Sequence, residues 1–334
     1  MKSRFLTSAL LACMLLAALP AAAQWTWSPQ TGRWINLKRL PKETPELQIE
    51  YARSLMLSGD NRRALRETHK FEQFYRDSEF ADDNLFLRGE IQQASGNTMD
   101  AARTFQSVVT AYPGSNLYDQ AIERQYQIGD EYYEQGQKRM QKMWRPMRKK
   151  PLKRAVTVYS MVIENQPFTP QAAQAQYKVG LAHYARKDYS MAVDDFNRVV
   201  EDYPDSEWAD DARFGLVEAN YGRSRPAEYD QSYSEATIKS IKNFTDLYPN
   251  DARAADLGAK RQEMRDRIAR QRMQTAAFYE KRREFASARI YYEIVARDFT
   301  DTQFAAEAQQ WLDEHPGVPS VRARYADRTA PVKE

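Results

Sequence analysis

The stretch Leu85-Phe86-Leu87-Arg88-Gly89, followed by Ala101, Phe105, Val108 and Tyr112-Pro113, decides the fold. A small residue precedes an aromatic, then an aliphatic, then a proline. The same order returns along the chain. One copy reads Gly129, Ala155, Tyr159, Val162 and Pro167, and the next reads Gly180, Ala192, Phe196, Val199 and Pro204. A further copy ends in Ile241, Phe244 and Pro249, and another reads Ala276, Ala288, Tyr292 and Val295. Upstream lies a weaker version, Ala52, Ala64 and Phe71. Small residues at such places let two helices touch, and the aromatics fill the space beside them. Proline has no N–H to give and cannot continue a helix, so it ends each pair.

A helix–turn–helix unit of about 34 residues with these positions is a tetratricopeptide repeat. The chain is therefore expected to be all-α: a right-handed superhelical solenoid of about five to six helix pairs with a C-terminal capping helix. Helices should run from about Thr44 to Leu312, turning at Ser58-Gly59-Asp60, Ser95-Gly96-Asn97 and Arg186-Lys187-Asp188. Glycine supplies a left-handed turn there, and Asp or Asn caps the next helix. The cap is the helix carrying Phe304, Ala305, Ala308, Trp311 and Leu312. The prolines are spaced by 54, 37 and 45 residues from Pro113 to Pro249, so the regular stack (45–315) must hold insertions. One is basic, at 138–154. The other is polar, at 220–234, and reads as a long loop.

Composition limits the function. The 334 residues carry 49 basic and 46 acidic side chains; without Lys2 and Arg4 the balance is +1, so no global attraction to nucleic acid is expected. A mean hydropathy of −0.77 suits a helical stack with much solvated surface. Lys2 and Arg4, the apolar run Phe5 to Leu19, Pro20 and Ala21-Ala22-Ala23 read as a signal peptide (1–23) cleaved before Gln24. Cys13, the only cysteine, lies in that run after Leu10-Leu11-Ala12. The alternative is a lipoprotein attached through Cys13, but a cut there leaves the oily segment Met14 to Leu19 on the mature chain. No second apolar run is long enough to span a membrane.

Two segments read as partner surfaces. Trp25, Trp27 and Trp34 sit in a Trp-rich arm (24–44) whose alternation and Ser-Pro and Thr-Gly steps predict a strand and turn. The arm is either an aromatic anchor for a partner or a flap folded over the first repeats. The basic insertion holds nine Lys or Arg among seventeen residues and no acid, including Lys142, Arg145, Arg148, Lys149 and Lys150, with Met140, Met143, Trp144 and Met147 at helical spacing. It either docks on an anionic membrane surface or acidic partner, or packs its Met/Trp stripe on the stack. Residues 316–334 hold three prolines and no apolar period, so a disordered tail is expected.

Chemistry is not predicted. His69, His183 and His315 are far apart, without metal-ligand spacing. No phosphate-binding glycine loop or nucleophile elbow is present. The acid pairs Asp82-Asp83, Asp194-Asp195 and Asp210-Asp211 are assigned to helix starts or helix surfaces, where carboxylates meet the helix dipole favourably. No enzyme activity and no cofactor are expected.

The array resembles the BamD family, the tetratricopeptide-repeat component of the machinery that assembles β-barrels in the outer membrane of Gram-negative bacteria. The order of elements carries the likeness: plain repeats, one repeat with a polar insertion ending Tyr229-Asp230-Gln231-Ser232-Tyr233-Ser234-Glu235-Ala236, then a long final pair. That pair holds Arg265-Asp266-Arg267-Ile268-Ala269 and Ala277-Phe278-Tyr279-Glu280-Lys281-Arg282, with Asp301-Thr302 at the closing turn. The resemblance implies a non-enzymatic periplasmic scaffold. Helices around Arg265–Val295, with Arg265 and Arg267, would face the periplasmic domains of the barrel-inserting subunit. The groove from Tyr51 to Val109 would face unfolded barrel substrates. The alternative is another envelope repeat scaffold, of the Tol–Pal and cell-wall type. That family carries an N-terminal coiled coil, and residues 24–44 are too short and too rich in Trp and Pro for one.

Overall fold

The computed structural model describes residues 25–28, 33–36, 40–141, 149–224 and 231–319. The signal segment with Cys13, residues 142–148 of the basic insertion, 225–230 of the polar insertion and the tail from 320 lie outside them. The chain divides into two compact units, Met1–Asp130 and Glu131–Glu334.

In the first unit, β1 (Trp25–Ser28) and β2 (Arg33–Asn36) pair antiparallel, with Trp25 opposite Asn36 and Trp27 opposite Trp34. Helices α1 (Pro45–Leu57), α2 (Asn61–Phe74), α3 (Ala81–Ala94) and α4 (Thr98–Ala111) follow, and α5 (Tyr118–Gln141) crosses the unit boundary. The second unit continues with α6 (Lys150–Asn165), α7 (Pro170–Arg186), α8 (Tyr189–Asp202), α9 (Ala209–Ser224) and α10 (Ser232–Leu247). A 3-10 turn (Ala252–Asp256) leads into α11 (Leu257–Lys281), α12 (Phe285–Asp298) and α13 (Phe304–Glu314). Among the described residues the fold is an all-α tetratricopeptide-repeat solenoid with one small ribbon before it.

The helix ends follow from local chemistry. Thr44 caps α1 by accepting from the Leu47 N–H, and Thr169 caps α7 by accepting from the Ala172 N–H; each is followed by proline at the first helical position. Helices α4, α6, α8 and α10 stop one residue short of a capping Tyr112, Gln166, Tyr203 or Tyr248, and proline follows each. Gly59 and Gly96 have left-handed backbones at the first two turns, with φ of 82° and 77°. At two later turns the same conformation is held by Lys187 and Arg283, with φ of 65° and 60°. Asp60 caps α2 with its side chain, whereas Asn97 and Asp188 make no such bond. Asp188 instead accepts from Arg186 at 2.8 Å.

Packing within a pair works by ring over glycine. A Cβ on Gly89 would lie 2.6 Å from Phe105, and one on Gly180 would lie 2.6 Å from Phe196. Phe196 also closes on Gly215 of α9, at 2.8 Å, so one ring sits between its own pair and the next. Tyr189 covers Gly222 in the same way, at 2.6 Å. The remaining packing positions, Ala101, Gly129, Ala155, Tyr159, Ala192, Ala276, Ala288 and Tyr292, are all buried. Burying each large apolar side chain contributes about 1.5–3 kcal/mol.

The polar insertion is shorter than its sequence suggests. Asn220–Ser224 belongs to α9 rather than to a loop, because Gly222 packs against Tyr189 and Asn220 donates to Ser240 Oγ at 2.8 Å. Both described flanks of the basic insertion are likewise helical, in α5 and α6.

Candidate partner-binding surfaces

An open cleft of about 630 Å³ lies among α8, α9 and α10. Val193, Leu216 and Leu247 give it an apolar lining, and Asn197 and Asn243 add amides. Arg213, Arg223 and Lys239 make it cationic, with Asp246 as the only acid among the described lining residues. Two of the cations are pre-positioned. Arg213 donates to the Tyr248 hydroxyl at 3.2 Å, and Arg223 donates to Asn220 Oδ1 at 2.8 Å while lying over the Tyr233 ring. Apolar and cationic groups thus line one cleft.

Arg265 is committed inside the chain. Its guanidinium donates to both carboxylate oxygens of Asp301, at 2.9 and 2.7 Å from Nε, and to the Asp298 carbonyl at 2.7 Å. It also lies over Phe299, and only 19% of its side chain is exposed. Arg265 beside Asp301 holds that carboxyl below the usual carboxylate range. Arg267 donates to Glu263 at 2.7 Å and to the Ser224 carbonyl at 3.2 Å. Both arginines thus tie α11 to neighbouring segments. Phe278, near the end of α11, and Phe285, at the start of α12, are exposed aromatics.

Arg253, in the 3-10 turn, gathers three acids: Asp251 at 2.7 Å, Asp211 at 2.6 Å and Asp210 at 3.5 Å. Its hydrogen bond to Asp251, first among these contacts, raises the guanidinium pKa. Glu280 forms a second node, accepting from Tyr292 and from the Trp311 indole, each at 3.0 Å. Burial raises the phenol pKa of Tyr292, and the bond to Glu280 adds to it. Burial likewise pushes Tyr177 and Tyr184 up to about 12, helped by Asp211 and Glu218 respectively. These hydroxyls serve as hydrogen-bonding groups at neutral pH.

Asp195 corrects the surface assignment of its acid pair. It is buried, accepts from Gln176 at 3.2 Å and contacts His183 at 2.5 Å. Gln176 also donates to the Asp195 carbonyl, joining α7 to α8. His183 is therefore part of a closed polar staple. His69 pairs with Glu72 at 3.3 Å, and His315 stacks on Trp311 at 4.3 Å. Among the described residues no group of three or more His, Cys, Asp or Glu is placed to hold a metal.

The Trp ribbon completes the surfaces. Trp25, Trp27 and Trp34 are 51%, 50% and 62% exposed. Trp27 and Trp34 meet edge to face at 5.8 Å.

The family profile of the outer membrane lipoprotein YfiO matches residues 126–315, more than half of the chain. The chain belongs to this family. A tetratricopeptide-repeat profile matches residues 83–115. The outer membrane protein assembly factor BamD of Caulobacter vibrioides is 23% identical over 154 residues, 46% of this chain and 50% of that protein. The chain therefore aligns with half the length of this curated relative. Solved structures with likeness include a tetratricopeptide repeat protein from Parabacteroides merdae, at TM-score 0.32 and 16% identity, covering 85% of this chain and 96% of that one. Another is a repeat protein of Thermus thermophilus, at TM-score 0.32 and 13% identity, covering 66% of this chain and 98% of that one.

The YfiO-family region contains the cleft, the Arg253 and Arg265 clamps and the Glu280 node. The Trp ribbon and α1–α4 precede it. Of the basic insertion, Lys149 and Lys150 are exposed, and Lys149 reaches Asp188 at 3.7 Å. Lys142, Trp144, Arg145 and Arg148 lie outside the described residues. Sequence reading had no signal for the cleft, because its lining comes from three helices whose side chains meet only after packing.

Proposed function

We propose that this YfiO-family chain is a non-enzymatic scaffold of β-barrel assembly at the periplasmic face of the outer membrane. The family match over 126–315 carries the reading, since that region also holds the cationic, apolar cleft. The partner is the periplasmic part of a barrel-inserting subunit. Its docking segment would place an apolar side chain on Leu216 and Leu247 and a carboxylate beside Arg213 and Lys239. The leader 1–23 delivers the chain across the inner membrane, and cleavage before Gln24 leaves it without a lipid at Cys13.

Co-purification from gently solubilised membranes tests this. The barrel-inserting subunit should be enriched with the wild-type chain, and Leu216→Asp with Lys239→Glu should lower recovery at least about tenfold while the helical signal persists. Enrichment of cell-wall or Tol–Pal components in its place overturns the proposal.

A further inference from the structure

We propose that the cleft among α8, α9 and α10 reads the main chain of an extended, acidic protein segment, with Asn197 and Asn243 as the reading groups. This rests on the scaffold reading and deepens it, because it says what kind of segment the cleft holds.

A carboxamide both donates and accepts, so it can pair with both halves of a peptide unit. Elsewhere the molecule commits the amides on its helix surfaces to its own side chains. Gln127 donates to Glu123, Gln135 to Glu131, Gln309 to Asp313 and Gln310 to Glu314, each one turn away. Asn197 and Asn243 differ. They line the cleft from α8 and α10, and neither bonds to a described side chain or carbonyl. Asn220 of α9 is buried and already occupied, donating to Ser240 and accepting from Arg223. The two other amides keep their capacity for a bound molecule.

Charge and hydrogen bonding together select the occupant. Asp246, the one acid of the described lining, pairs with Lys242 on its own helix. Arg213 bonds to the neutral Tyr248 hydroxyl, and Lys239 has no acid partner among the described residues. Cations that no carboxylate neutralises favour an anionic partner. A phosphate group offers only acceptors and leaves both Asn Oδ1 atoms without a donor. A peptide supplies N–H donors, carbonyl acceptors and carboxylate side chains at once. In a helix those main-chain groups bond to one another, so the segment must be extended. Successive side chains of an extended segment point to opposite sides, which lets acidic residues meet Arg213 and Lys239 while apolar ones meet Leu216 and Leu247.

The test measures fluorescence anisotropy of an end-blocked octapeptide of alternating Asp and Val with the chain from Gln24 onward, which holds every described residue. The peptide should bind and should be released as salt rises, because exposed charges are screened within about 8 Å at physiological ionic strength. Replacing its Asp residues by Asn should weaken binding about tenfold, and Lys239→Gln should do the same, since hydrogen bonds to charged groups are the stronger ones. N-methylation of the Val nitrogens removes main-chain donors and keeps every side chain. It should weaken binding to the wild type about fivefold. The double variant Asn197→Ala, Asn243→Ala should keep its helical melt, bind the plain peptide about fivefold or more weakly, and lose little more on N-methylation. That convergence belongs to main-chain reading and not to a damaged fold. Absence of binding, equal binding of a peptide of alternating Lys and Val, or a full N-methyl effect in the double variant overturns the proposal. So does flotation on phosphatidylglycerol vesicles that Lys239→Gln abolishes while the peptide does not bind, which would give the cleft to a lipid headgroup. Recovery of the barrel-inserting subunit without the peptide pattern sinks this proposal alone. The full peptide pattern without that subunit sinks the scaffold reading alone.

Discussion

At the residue scale, glycines at the helix contacts exist because a ring needs their place. Phe196 is buried between Gly180 and Gly215, so it cannot swing away from either. Alanine is the better helix former by about 1 kcal/mol. Even so, Gly180→Ala should destabilise the protein by up to about 2 kcal/mol, because overpacking costs about 1–3 kcal/mol. Gly258→Ala, where a Cβ meets nothing within 4 Å, should be neutral or mildly stabilising. Urea midpoints of the two variants separate the effects. The Arg265–Asp301 pair gives a pH signature. Asp301 has its pKa depressed when folded, chiefly by the Arg265 hydrogen bonds. Such a carboxylate stabilises the folded chain above the ordinary pKa of about 3.9 and loses that contribution as pH falls through the lower folded value. Because 44% of the Asp301 side chain is exposed, the pair is worth no more than about 1 kcal/mol. Asp301→Asn should therefore melt lower than the wild type at pH 7, and the two curves should converge as pH falls through the depressed folded value of Asp301.

At the scale of helices and turns, Lys187 stands where glycine would be expected. A left-handed backbone costs an L-residue about 1–2 kcal/mol, while glycine loses about 0.5–1 kcal/mol more entropy on folding. Relief of strain wins, so Lys187→Gly should raise stability by about 0.5–1 kcal/mol, read as a higher melting temperature. How far the elements were legible depended on whether their determinants lay within one repeat. Gly89, Ala101 and Phe105 fall inside one period, and the structure sets Phe105 over Gly89 with Ala101 buried. Gly215 and Gly222 escaped notice because the polar insertion breaks the period of that repeat, and their ring partners lie on the preceding helix. Asp195 was assigned to a surface because its neighbour Asp194 is exposed. Its partners His183 and Gln176 are twelve and nineteen residues away, across a turn. The family resemblance sets Arg265 at a partner surface, whereas its bond to Asp301, thirty-six residues on, is reached only through the fold.

At the scale of the whole molecule, solenoid repeats explain why one sequence pattern yields several surfaces. Each helix pair buries one face on its neighbour and leaves another for a partner. The YfiO-family region carries the cationic cleft, and the preceding ribbon carries the tryptophans. The sequence made the repeat fold and the family resemblance readable, but the cleft required three helices to be in place. The proposed scaffold role is in assembling outer-membrane barrels. Its most direct test is controlled depletion of this chain, followed by measurement of correctly folded, protease-resistant barrel proteins in isolated outer membranes. Folded barrels should fall across many species, and unfolded precursors should build up in the periplasm before division is disturbed. Unchanged barrel levels with an early defect in cell-wall constriction would contradict it.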